Sequence, residues 1–185
     1  MIDVNDLRKG VTFELDGNLY KVLEYSHNKP GRGNATIRTK VRDLRSGGVL
    51  EKTFISGDRV QDVRLDHHIV TFLYRDGDFF HFMDTETYDQ PTLNRASLED
   101  IADYLTEGLE AKLTFYHDEP IDIELPTAVD LKVTKADVGV KGDTATGATK
   151  TVTTETGLRV QVPLFVQSDD TIRVDTRTGQ YLTRV

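Results

Sequence analysis

Residues 11–26 read VTFELDGNLYKVLEYS. In the first arm Val11, Phe13 and Leu15 alternate with polar residues, the period of a strand with one face buried. Asp16-Gly17 then supplies the dipeptide that a two-residue turn with positive φ requires, and a second strand-like run follows. The stretch therefore reads as a tight β-hairpin, and a chain built from such units is mostly β.

The same device recurs. TFLYRDGDFFHFMD (71–84) turns at Asp76-Gly77, and TIRVDTRTGQYLTRV (171–185) turns near Thr178-Gly179. Each third of the chain holds one such hairpin, although the copies are too dissimilar to form a sequence repeat. ASLEDIADYLTEGLEAKL (96–113) is the exception. Leu98, Ile101, Leu105 and Leu109 recur at helical spacing, Ser97 or Asn94 can cap, and Gly108 can terminate, so a helix is expected here. DVGVKGDTATGATK (137–150) is a polar loop. Changes in charge, and the stretch ELPTAV, place domain boundaries near residues 63 and 127. The expected domains are 1–63, 64–126 and 127–185, each of a size that favours a closed barrel of SH3-like or OB type, because closure removes exposed strand edges.

Several chemistries are excluded by composition. With no cysteine among 185 residues, disulfides, thiolate metal sites and thiol nucleophiles are absent. PGRG is followed by the strand-like ATIRTKV and not by Gly-Lys-Ser/Thr opening a helix, so it is not a nucleotide-binding P-loop. His27, His67, His68, His81 and His117 lack the spacing of a metal motif. The acids of the middle third are too numerous and too evenly spread to single out a catalytic pair, and they read as a solvated face. No catalytic residue, metal or cofactor is therefore expected, and the chain does not read as an enzyme. MIDVNDLRKG has no apolar leader segment and no run of about 18 apolar residues occurs, so a cytoplasmic, membrane-free protein is expected.

Charge is unevenly distributed. The net charge of −8 resolves into +2 for residues 1–63 (11 basic, 9 acidic), −11 for 64–126 (4 basic, 15 acidic) and +1 for 127–185 (8 basic, 7 acidic). Between Lys21 and Lys52 stand eight basic residues, Lys21, Lys29, Arg32, Arg38, Lys40, Arg42, Arg45 and Lys52, against three acids. This basic segment contains HNKPGRGNA (27–35), a hairpin tip that sets Arg32 between two glycines. Glycine permits a sharp turn and close approach, Pro30 limits the freedom lost on ordering, and the planar guanidinium fork suits a phosphate or a base. The tip and its flanking cations thus point to RNA. A general single-stranded RNA binder would instead display stacking aromatics, and Tyr74, Phe79, Phe80, Phe82 and Tyr88 form the one cluster, within the acidic third.

Three ordered regions, HNKPGRGNATIRTKVRDLRSGGVLEKTF (27–54), FLYRDGDFFHFMDTETYDQ (72–90) and GDT (142–144) followed by TGLRVQVPLFV (156–166) and IRVDTRTGQYLTRV (172–185), closely resemble the bacterial elongation factor P family over the whole chain. The resemblance implies an SH3-like, KOW-type barrel followed by two OB-type barrels in an L-shaped, tRNA-like arrangement. It also implies a monomeric factor that enters the 70S ribosome, among ribosomal RNA and proteins, between the peptidyl and exit sites and relieves stalling at consecutive prolines. A diverged paralogue with a different stalling preference is the alternative within the family. By position, Lys29, Arg32 and Asn34 would touch the acceptor end of the peptidyl-tRNA, Pro30, Gly31 and Gly33 would shape the loop, and Arg38, Lys40 and Arg42 would contact phosphates nearby. Gly142, Asp143 and Thr144 match a loop that approaches the messenger codon at the exit site. Many relatives carry a modified lysine at the tip and others an arginine that receives rhamnose. Arg32 is therefore either the substrate of a tip-modifying enzyme or active unmodified, and the lysine-type PGRG loop favours the latter. The family usually has alanine where Val152 stands and glycine where Asp169 stands.

Overall fold

The computed structural model describes residues 1–98, 101–139 and 147–185. Among them every regular element is a strand except three short 3-10 turns, Val4–Asp6, Arg95–Leu98 and Ala102–Tyr104. The expectation of an all-β chain of small barrel-like sheets holds. Six strands, β1 (Ile2–Asp3), β2 (Thr12–Leu15), β3 (Asn18–Asn28), β4 (Thr36–Asp43), β5 (Val49–Ile55) and β6 (Arg59–Asp62), form an antiparallel sheet in the order β1-β6-β2-β3-β4-β5. A second sheet, ordered β11-β10-β7-β8-β9, uses β7 (Asp66–Asp76), β8 (Phe79–Asp84), β9 (Thr92–Asn94), β10 (Glu110–Tyr116) and β11 (Glu119–Glu124). The third, ordered β14-β13-β12-β15-β16, uses β12 (Ala128–Ala136), β13 (Thr149–Thr154), β14 (Arg159–Pro163), β15 (Thr171–Asp175) and β16 (Tyr181–Arg184).

Two compact units follow from the contacts. The first comprises Met1–His68, Leu93–Glu99 and Leu113–Asp122, and the second Ile69–Thr92, Asp100–Lys112 and Ile123–Val185. In the first, Val4, Leu7, Phe13, Tyr20, Val22, Ile37, Val41, Phe54 and Val60 make the main core. Strand alternation puts these on one face, and Phe13 packs its ring against Tyr20 and Phe54 at centroid distances of 5.8 and 6.1 Å. A smaller cluster joins Leu19, Leu44 and Ile121. Gly47 lies against the 93–99 segment with φ +78°, and a Cβ there would stand 2.3 Å from the Ala96 carbonyl oxygen, so only glycine fits. In the second unit, Phe72, Phe80 and Phe82 form one aromatic cluster, and the third sheet closes over Val129, Leu131, Val133, Val152, Val160, Val162, Ile172 and Val174.

The hairpin turns obey the expected chemistry with one shift of register. Leu15 pairs with Asn18, and Asp16 and Gly17 both have positive φ (53° and 79°), as a type I′ turn demands. In the second sheet Asp76 pairs with Phe79, so the turn is Gly77-Asp78 and not Asp76-Gly77. Gly77, with φ 58°, takes the first central position, where a type II′ turn wants it. The third hairpin closes through Gly179 at φ 73°, whose N–H donates to the Asp175 carbonyl. A fourth turn carries no glycine signal: His117 and Asp118, at φ 48° and 64°, connect β10 to β11.

The helix expected over 96–113 does not form. The described residues give two separate 3-10 turns, extended backbone at Leu105, and then β10. The cause is competition for backbone groups. The Gly108 N–H donates to the Phe72 carbonyl and the Leu109 carbonyl accepts from the Phe72 N–H, so the sheet takes partners that a helix would need. Leu105 and Tyr104 are buried by tertiary packing, which overrides the helical spacing.

Asp169, where the resemblance leads one to expect glycine, has φ 73°. Its N–H donates to the Val133 carbonyl, which fixes that left-handed conformation, and aspartate is among the few side chains that tolerate it. Val152, the other departure, is fully buried in the third core. Replacing Asp169 with glycine should raise stability by about 1 kcal/mol by removing the left-handed penalty, seen as a higher urea midpoint. Phe82→Ala should cost about 3–5 kcal/mol whereas Phe79→Ala, on the exposed side of the same strand, should change stability little. The same urea series distinguishes the two.

Candidate nucleic-acid interface

Strand β3 is eleven residues long and β4 eight, and their pairing runs from Tyr20↔Asp43 to Asn28↔Thr36, interrupted by a bulge between Val22 and Glu24. Strand β5 supports β4 up to Thr36↔Ile55, and the Ser56 N–H holds the Ala35 carbonyl at 2.8 Å. Beyond that last tether the chain leaves the sheet. Lys29, Pro30, Gly31, Arg32, Gly33 and Asn34 are all exposed. No hydrogen bond or ion pair among the described residues engages the Lys29, Arg32 or Asn34 side chains. The two glycines differ. Gly33 has φ +103° and needs its missing Cβ, whereas Gly31 has ordinary φ and open space around it, so its role is clearance.

Arg38, Lys40 and Arg42 occupy alternate positions of β4, opposite the buried Ile37, Thr39 and Val41, and so share the outward face. Register decides how available they are. Arg38 stands between Ser26 on β3 and Thr53 on β5, both uncharged. Lys40 stands between Glu24 and Glu51, and its Nζ lies 3.3 Å from the Glu24 Oε1. Arg42 is half-buried, six residues below Thr36 and therefore about 20 Å from the tip end of the strand.

The remaining cations of the basic segment are committed elsewhere. Lys21 Nζ pairs with Asp122 Oδ2 at 2.5 Å, Arg45 reaches Glu119 at 3.5 Å and the Gly17 carbonyl at 3.0 Å, and Lys52 Nζ sits 4.7 Å from the centre of the Tyr20 ring. Beside them Tyr116 donates to the Glu14 carboxylate at 3.2 Å. Its phenol is held above the usual tyrosine range, first by burial and then by that bond and the carboxylate charge. Among the described residues the positive patch counted from sequence thus resolves into a base where Lys21 and Arg45 meet carboxylates and a distal end where Lys29, Arg32 and Arg38 meet none. Glu24 and Glu51, which flank Lys40, could have been found in the sequence only by knowing the register. Gly142, Asp143 and Thr144 lie outside the described residues.

Three family models cover the chain in order. The elongation factor P KOW-like domain matches residues 3–60, the elongation factor P OB domain residues 65–123, and the elongation factor P C-terminal domain residues 129–184. The chain is similar to elongation factor P of Moorella thermoacetica, 47% identical over 184 residues, and to that of Carboxydothermus hydrogenoformans, 48% identical over 185 residues, each covering 100% of both chains. Among solved structures, eukaryotic translation initiation factor 5A from Methanococcus jannaschii aligns with 67% of this chain and 93% of its own at 21% identity and a TM-score of 0.49, a likeness too loose to carry an assignment.

Differential availability has a measurable consequence. Each cation that contacts a phosphate contributes about one unit to the salt dependence of RNA affinity. Arg38→Ala should lower the slope of log affinity against log salt for a tRNA by about one unit, while Lys40→Ala, already partnered by Glu24, should lower it by less.

Proposed function

The chain belongs to the elongation factor P family of translation factors, and from that membership we propose that it binds the ribosome between the peptidyl and exit sites and promotes peptide bond formation at consecutive prolines. It is a translation factor and not an enzyme. The working group in this reading is the 29–34 tip, with Arg32 at the acceptor end of the peptidyl-tRNA and Arg38 on phosphate behind it. The observation that supports it is an arginine with no partner among the described residues, presented at the end of a three-strand support.

The Arg32 guanidinium stays protonated and is neither a proton-transfer group nor a nucleophile near neutral pH, so its contribution in this reading is positional. Proline reacts slowly because its ring restricts the approach to attack geometry. Holding the acceptor end in place converts binding energy into orientation, which can contribute up to roughly 7–11 kcal/mol in favourable intramolecular cases. One arginine contact, worth about 1.5–3 kcal/mol, positions the RNA, and the rest of the binding surface supplies affinity. The cytoplasm is the compartment this role requires, and a monomer with domains 1–63, 64–126 and 127–185 is the form proposed to act.

In a reconstituted translation system lacking elongation factor P, the unmodified recombinant protein should accelerate synthesis of a triple-proline peptide, and Arg32→Ala should remove most of the effect. If neither protein accelerates it and mass spectrometry shows the native Arg32 peptide to be unmodified, the reading fails.

A further inference from the structure

The β7–β8 hairpin has two unlike faces. Inward, Phe72, Phe80 and Phe82 are buried against one another. Outward, the register Thr71↔Met83, Tyr74↔His81 and Asp76↔Phe79 lines up a second set of large side chains. The bulge between Phe72 and Tyr74 is what brings Tyr74 to this face, where its ring stacks on His81 with centroids 4.5 Å apart and planes 19° apart. Tyr74 is 53% exposed, Phe79 51% and Ile69 48%. Of the five aromatics that the sequence grouped as a stacking platform, Phe80 and Phe82 are therefore core, and Tyr74 and Phe79 form an uncovered strip continued by Ile69 and Met83. Contiguous exposed apolar surface of this kind marks a docking site more often than chance surface does.

Charge selects the occupant. Asp76 lies on the strip, Asp78 is in the turn beside it, and Glu86 and Asp89 are exposed in the loop after β8. Arg75 is the one lysine or arginine between residues 69 and 92. It is turned away: Arg75 pairs with the inward Phe80, its guanidinium lies 5.4 Å from the centre of that ring, and its Nε donates to the Gly77 carbonyl at 2.7 Å. No lysine or arginine of the hairpin thus faces the strip, and Lys112, which borders a cleft with Ile69 at its far end, is paired with Glu124 at 3.3 Å, so phosphate would be repelled from the Tyr74–Phe79 end. An arginine or lysine side chain, by contrast, finds aromatic faces for cation–π contact, apolar area for its methylene stem, and carboxylates at the rim.

We infer that the outward face of the β7–β8 hairpin, centred on Tyr74, His81 and Phe79, is a docking surface for an arginine- and lysine-rich protein segment. This surface is distinct from the RNA-directed tip, and its test does not involve the ribosome, so it stands or falls independently of the elongation reading.

The probe is a fluorescein-labelled twelve-residue peptide alternating arginine and leucine, titrated into the full-length protein, with amide chemical shifts followed in parallel. Binding should perturb Tyr74, Phe79, His81 and Met83. The Tyr74→Ser/Phe79→Ser variant, altered at exposed positions and checked for a native spectrum, should bind at least tenfold more weakly. Equal affinity of the variant, or perturbations spread over acidic surface without focus on the strip, would overturn the proposal. So would perturbation of the same residues by a twelve-nucleotide oligouridine, or concentration-dependent dimerisation abolished by the variant, since these would assign the strip to RNA or to a second copy of the chain.

Discussion

The register of β3 against β4 is the constraint on which the first sheet and its tip depend. Val22 faces Val41, and both are fully buried with Ile37. Because side chains alternate with a period of two, a slip of one residue would turn Arg38 and Lys40 into the core and expose Ile37 and Val41. Burying two unpaired cations is far costlier than any alternative pairing could repay. The apolar side of β4 therefore fixes where its basic side points. The bulge at Leu23 lets one strand carry an extra residue without losing that phase on either side.

Charge is organised by the same pairing. The acidity of the middle third has a local use within the first unit, where Asp122 and Glu119 neutralise Lys21 and Arg45 near the base of the hairpin. Such partly exposed pairs add little to stability. Their larger effect is on the field along the hairpin, because Lys29, Arg32 and Arg38, toward its tip, have no such carboxylate partner among the described residues. On the β7–β8 face the sign reverses and aromatic side chains replace cations. The two proposed surfaces thus differ in their chemistry, one cationic and the other aromatic with carboxylates beside it.

Much of this was legible in the sequence where local chemistry and tertiary structure agree. Asp16-Gly17 specifies its turn almost alone, and HNKPGRGNA reads as a projecting loop because no apolar residue in it demands burial. Where the sequence misled, a non-local partner had decided the outcome. Leu98, Ile101, Leu105 and Leu109 have helical spacing, yet the backbone of Gly108 and Leu109 belongs to Phe72. His117-Asp118 carries no glycine, so nothing local announced a tight hairpin there. The difference between Phe79 and Phe80, or between Arg38 and Lys40, is a matter of which strand lies opposite, and a single sequence does not state that.

The support of the tip also has a mechanical meaning. A pull on Arg32 directed away from the barrel runs along β3 and β4 together, so it does not peel them from each other. It is resisted by the flanking ladders, seven residue pairs between β4 and β5 and four between β2 and β3, all loaded in shear at once. Shear of that kind gives a stiff response until many bonds fail together, whereas peeling yields one bond at a time. The exposed loop can therefore adapt over its six residues while the strands beneath it behave as a rigid strut.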